Sequence, residues 1–130
     1  MPSRYMDWLK QAKKDLKHAK NCVVNEDYEW ACFSAQQASE KAVKAVYQKI
    51  GAYAWGHSIY ALLENLPLEF QPDNSLKDKG KELDKHYIPS RYPNSYPEGA
   101  PYEYYTKNEA ERSIKYAEQI LTFCENKISQ

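Results

Sequence analysis

Residues 28–50, YEWACFSAQQASEKAVKAVYQKI, constrain the fold more than any other part of the chain. Tyr28, Ala31, Cys32, Ala35, Ala38, Ala42, Ala45, Val46 and Ile50 recur at three- and four-residue spacing, which sets them along one stripe of an α-helix. Alanine is the best helix former. A stripe built from it lets a neighbouring helix come close, toward the short end of the usual interaxial range of about 8–10 Å. A chain organised around such a segment packs helix on helix. Gly51 follows directly and is suited to terminate it.

The flanking sequence repeats the pattern. In residues 7–24, Trp8, Leu9, Ala12, Leu16, Ala19 and Val23 share one face, while Lys10, Lys13, Lys14, Lys17 and Lys20 occupy much of the other. Residues 57–66, HSIYALLENL, read as a short helix stopped by Pro67. Residues 75–87 read as a fourth, with Leu76, Leu83 and Tyr87 as apolar positions and Gly80 working against it. Thr106 and Glu109 form a capping box that starts a last helix over 107–128, with Ala110, Ile114, Ala117, Leu121, Cys124 and Ile128 on one face. No stretch alternates apolar and polar residues as a strand would. Short connections favour antiparallel neighbours. The expected fold class is all-α: an up-and-down bundle of four to five helices, one domain spanning 1–130, with one long loop before the last helix.

That loop, HYIPSRYPNSYPEGAPYEYY (86–105), has prolines at 89, 93, 97 and 101 and holds six of the twelve tyrosines. A long loop in a small domain is either functional or disordered. Disordered segments are poor in aromatic residues, whereas proline fixes backbone angles and tyrosine offers a large ring with a polar tip. The composition therefore predicts an ordered loop lying across the bundle.

Leu, Ile, Val and Phe supply only 22 of 130 residues, but 18 basic and 18 acidic side chains cancel, so the composition is not that of a disordered chain. Tyrosine, tryptophan and 13 alanines furnish the missing apolar surface. Residues 1–20 carry six basic and two acidic side chains and hold the positive excess. No apolar run is long enough to span a membrane, and no secretory signal is evident at the start. Three cysteines without a C-x-x-C spacing form neither a disulfide framework nor a zinc site, which fits a reducing, cytoplasmic setting. Metal ligands and a cofactor are not expected: no two histidines and no two cysteines stand at i,i+4 on a helix, and no phosphate-binding glycine motif is present.

SAQQASEKAVKAV (34–46), GHSIYALL (56–63) and IPSRYP (88–93) follow, in that order, a helix of the form W-L-x-x-A-x-x-D-L-x-x-A (8–19). Together they resemble the HEPN domain family over nearly the whole chain. The resemblance implies a bundle of four or five helices that pairs as a homodimer. It also implies association with a minimal nucleotidyltransferase in a toxin–antitoxin-like module, with nucleotide or RNA as ligand. Many members are metal-independent endoribonucleases that use an arginine followed, after four to six residues, by a histidine. This chain lacks that motif: none of Arg4, Arg91 and Arg112 precedes His18, His57 or His86 at that spacing, and His86 to Arg91 runs in reverse. The ribonuclease activity therefore does not transfer by motif, and a binding role is favoured over an enzymatic one.

The candidate ligand-binding residues are His57, Arg91, Tyr92 and Lys44, and the catalytic candidates are His57, His86 and Arg91. Arginine carries a planar fork of donors suited to phosphate; its bland alternative is a carboxylate pair that pins the loop. Tyr92 could stack on a base or hold the loop. Histidine can move a proton near neutral pH, yet His57 could equally cap its helix. His86 could border a cleft with Arg91, whereas His18 reads as solvated. Lys44 is spaced to pair with Glu40, and the lysine face of the first helix reads mainly as solvent-exposed surface. Three functions stay open: a nucleotide- or RNA-binding HEPN protein, an endoribonuclease with a non-standard site, and a protein-interaction module with no ligand.

Overall fold

The computed structural model describes residues 3–130. Five helices form: α1 (Tyr5–Val24), α2 (Tyr28–Ile50), α3 (Ile59–Glu64), α4 (Asn74–Asp84) and α5 (Lys107–Ile128). Short 3-10 turns occupy Leu68–Phe70, Pro93–Ser95 and Pro101–Glu103, and there is no strand among the described residues. The all-helical bundle read from the sequence is what folds, with α2 and α5 at the expected bounds.

Of the capping box expected at Thr106 and Glu109, the threonine half forms, and the helix-ending glycine acts as the sequence implies. Thr106 accepts from the Glu109 amide at the start of α5, and Gly51, at φ 72°, ends α2 in the left-handed conformation. α4 stops at Asp84, three residues before the expected Tyr87, and Asp84 turns its carboxylate onto the neighbouring helix. It accepts from Ser58 Oγ (2.8 Å), the Ile59 amide (2.6 Å) and the Tyr60 amide (3.1 Å), satisfying the first turn of α3. Ser58 itself accepts from the Ala61 amide. Gly80, which weakened the reading of α4, is where α3 approaches: a Cβ there would lie 3.0 Å from Ile59 Cγ2 and 3.3 Å from the Tyr60 nitrogen.

The three long helices make the main body. Ala35, Ala38 and Ala42 of α2 are fully buried in one core with Ala12 and Ala19 of α1 and Ala117, Ile120, Leu121 and Cys124 of α5. α1 and α5 are antiparallel, since Lys13 pairs with Glu125 and Lys20 with Glu118. α1 and α2 are antiparallel too: Ser3 meets Gln48, while Asp15 meets Lys41.

Direction fails to alternate at one place. Gln36 and Glu40 meet His57, and Tyr47 donates to the Leu62 carbonyl, so α3 runs parallel to α2. The eight non-helical residues 51–58 double back along α2 before α3 begins. From Ile50 back to Glu40 is about 15 Å at the α-helical rise, a distance eight extended residues cover. This return brings His57 to the middle of α2.

The loop before α5 is ordered by its own residues. Ser90 Oγ donates to the His86 carbonyl, Tyr96 to the Pro89 carbonyl and Tyr104 to the Glu98 carbonyl. The Tyr96 and Tyr104 rings stack at 4.1 Å, and Pro101 is buried on the bundle.

Candidate functional site

α2 carries a polar row inside its alanine stripe. Gln36, Glu40 and Lys44 lie four residues apart and therefore on one line of the helix. Glu40 is buried, at 5 % exposure. A buried carboxylate needs compensation, and this one has three donors: Gln36 Nε2 at 3.1 Å, Lys44 Nζ at 3.0 Å and His57 Nδ1 at 3.1 Å. Gln36 also donates to the His57 carbonyl at 3.2 Å, so it fixes both the backbone and the partner of the histidine.

Gly56 makes the approach possible. Its φ of 78° lies in the left-handed region, which glycine enters without the strain an L side chain incurs. The chain turns there and delivers the imidazole edge-on to Glu40. Because a carboxylate only accepts, Nδ1 carries the proton and Nε2 is the outward nitrogen. The His57 side chain is 57 % exposed, and no hydrogen bond engages Nε2 among the described residues.

Tyr87 links the histidine to the arginine. Its ring stacks on His57 with centroids 4.7 Å apart and planes 17° from parallel. The other neighbour is Arg91, whose guanidinium carbon lies 4.9 Å from the Tyr87 ring, 4.2 Å from Phe33 and 5.2 Å from Tyr92. Nε and Nη2 of Arg91 donate to the Tyr87 carbonyl. The guanidinium is thus clamped at the loop's first turn, among three aromatic faces that favour a cation. No carboxylate lies within ion-pair distance of it among the described residues, so the carboxylate-pinning alternative is not what holds it.

Of the residues singled out by sequence, His57, Arg91 and Tyr92 gather on this face. Lys44 reaches it through Glu40 and leans toward Trp8, with Nζ 5.9 Å from the ring. His86 does not join them. It is buried on the other side of the loop, with Nδ1 3.1 Å from the Tyr105 hydroxyl, and lines a separate cavity with α4 and α5. Burial, aided by the nearby Arg112 charge, pushes its pKa down to about 4. The expected His86–Arg91 cleft therefore does not form: the turn at 85–91 aims side chains 86 and 91 to different sides. His18 is exposed, with its Nε2 3.5 Å from Cys22 Sγ. Glu40, Gln36, Phe33 and Tyr87 were not legible as members of the site. The one available signal was the Gln36–Glu40–Lys44 row, polar residues where the helix is otherwise alanine.

The HEPN domain model matches residues 5–127. The chain belongs to the HEPN domain family. Solved structures superpose over nearly its full length. TT1696 from Thermus thermophilus has a TM-score of 0.95 at 45 % identity, covering 97 % of this chain and 99 % of that one. The archaeal HEPN homologue ST0689 has a TM-score of 0.83 at 43 % identity, covering 98 % and 99 %. A HEPN domain protein from Thermotoga maritima has 0.79 at 44 % identity, covering 95 % and 98 %. Among curated relatives, a Methanocaldococcus jannaschii protein carries the name "Putative toxin MJ1304". It is 32 % identical over 123 residues, 88 % of this chain and 81 % of that protein. No group of three metal-ligating side chains occurs among the described residues, and none of their helices is long and apolar enough to cross a membrane.

Proposed function

We propose that this HEPN protein binds a phosphate group of RNA or of a nucleotide at the His57–Arg91 face. The supporting observation is a half-buried guanidinium without a carboxylate partner, one aromatic ring away from an imidazole aimed at solvent. An unpaired cation in a partly dehydrated setting gains most from an anion, and Tyr92, half exposed, offers a ring face for a base. In this reading Lys44 acts indirectly, by holding the Glu40 carboxylate in place beneath His57. The family's habits extend the reading to a cytoplasmic homodimer working beside a nucleotidyltransferase protein. The name of the M. jannaschii relative supports a toxin–antitoxin-like setting for such a pair.

The Glu40–His57 contact favours a second reading, metal-independent RNA cleavage. A histidine oriented by a buried carboxylate is the arrangement a general acid or base requires, and Arg91 would steady the charge that builds on phosphorus oxygens. The Arg-to-His family motif is absent, so binding without cleavage stands first.

One experiment addresses both. Short labelled RNA is titrated with the protein, with and without chelator, and the products are resolved on a gel. Binding is expected to weaken about tenfold or more in Arg91→Ala, the worth of one charge-assisted hydrogen bond, with the circular dichroism spectrum unchanged. Chelator-resistant cleavage lost in His57→Ala would move the second reading ahead. No saturable binding of RNA or nucleotide would leave a protein-interaction role alone.

A further inference from the structure

The Pro/Tyr-rich loop encloses a second space. A cavity of about 490 Å³ lies between α4, α5 and the loop, within the size range of small-molecule sites. His86, Tyr96, Tyr104, Tyr105, Arg112 and Tyr116 line it, whereas His57, Tyr87 and Arg91 do not. His86 and Tyr87 are consecutive, yet one faces this cavity and the other stacks on His57.

The walls are aromatic and already fixed. Tyr96 and Tyr104 stack on one another, and their hydroxyls are tied to the Pro89 and Glu98 carbonyls, so the rings hold position without a ligand. Preorganised walls of this kind reduce the ordering cost of binding. At the back, Tyr105 hydroxyl and His86 Nδ1 meet at 3.1 Å. His86 is uncharged at neutral pH, so it presents hydrogen-bonding atoms without charge.

Charge on the lining is balanced. Lys85 and Arg112 are offset by Glu82 and Glu109, and Arg112 Nε lies only loosely beside Glu82 Oε1, at 3.9 Å. Such a site has no excess of cations to hold a phosphate. We propose that this cavity binds an uncharged heteroaromatic ring whose edge carries hydrogen-bond donors and acceptors, held flat against the tyrosine wall with its edge toward His86 and Tyr105. It is a site separate from the His57–Arg91 face and does not depend on what that face binds.

Adenosine and uridine are titrated into the intact protein, followed by amide chemical shifts, with adenosine monophosphate as the charged control. At least one neutral ring is expected to bind saturably, with shifts centred on His86, Tyr96–Tyr105 and Arg112–Tyr116. Tyr105→Phe, which removes only the hydroxyl, weakens binding about fivefold, the worth of one neutral hydrogen bond. Tyr104→Ala, at an exposed loop position, weakens it by removing the wall. Arg91→Ala leaves it unchanged, and at the resonances of the cavity lining the monophosphate binds no more tightly than adenosine, whatever it does at the His57–Arg91 face. The proposal is overturned if no neutral probe saturates at millimolar concentration, if the shifts caused by the neutral rings centre on His57 and Arg91, if the monophosphate shifts the cavity resonances with higher affinity than adenosine does, or if neither tyrosine variant alters affinity.

Discussion

His86 is held neutral by its surroundings. Burial lowers its pKa most, the Arg112 and Lys85 charges lower it further, and Glu82 opposes them. The unfolded chain takes up a proton near pH 6.5, whereas the folded protein does so only near about pH 4. Between those limits the unfolded state binds more protons, so stability falls as pH falls. Above pH 6.5 or so the penalty is absent; it grows down to the folded pKa and then levels off, at about 3 kcal/mol for this one group. Urea denaturation at several values from pH 7 to pH 4 measures it. Wild type is expected to lose more stability over that range than His86→Gln, and the difference isolates this side chain from other acid-sensitive groups. Equal losses in the two proteins would assign the acid sensitivity elsewhere. Glu40 is buried too, but its side chain has hydrogen-bond partners on several sides. Its carboxylate is surrounded by donors and stands between Lys44 and His57, so its burial serves to aim an imidazole.

Among the helices, α3 is the element most dependent on its neighbours. It has six residues, too few to be stable alone in water. Asp84 satisfies its first amides, and Gly80 lets it sit on α4 at backbone contact distance. Gly80→Ala separates local propensity from packing. On an exposed helix the change would stabilise by about 1 kcal/mol. Here the new methyl would meet Ile59 and the immovable Tyr60 nitrogen, so a loss of about 1–3 kcal/mol is expected. The urea midpoint reports it, with the slope unchanged. A higher midpoint would mean that α3 is not seated as described. The same helix matters for the His57–Arg91 face, because Ser58 and Ile59 anchor the chain directly after His57.

For the molecule as a whole, burial of two thiols gives a readout of cooperative stability. Cys32 and Cys124 are fully covered, and burial pushes the Cys32 pKa up to about 12 and that of Cys124 up as well. Thiolate, not thiol, reacts with alkylating reagents. Both cysteines are therefore expected to resist labelling at pH 8 in native buffer, and to become reactive together across the urea unfolding transition. They lie in different parts of the interior, Cys32 beside Ser113 and Cys124 in the main core, so shared protection would show that the bundle opens as one unit. Fast labelling of either one below the transition would reveal a subdomain that opens by itself. The loop at 86–105 belongs to the same unit, since Pro101 and Ser90 are buried on the helices.

Sequence alone determined the long helices, while α3 is shorter than its expected span of 57–66: helical period, alanine stripe, N-cap threonine and helix-ending glycine are local patterns whose physics acts within a few residues. It also marked the loop as ordered, since rigid prolines and large rings favour a fixed conformation. It did not determine the direction of α3, because eight residues can either turn sharply or double back, and only burial against α2 chooses between them. Nor could it separate His86 from Arg91. Five residues apart in sequence, they are divided by a turn whose side-chain directions depend on which rings find a pocket. Glu40 was visible as a helical neighbour of Lys44, but its role comes from His57, seventeen residues away, which the chain return brings to it. Contacts of that kind are written in packing, where the free energy of burying several residues at once outweighs the local preference of any one.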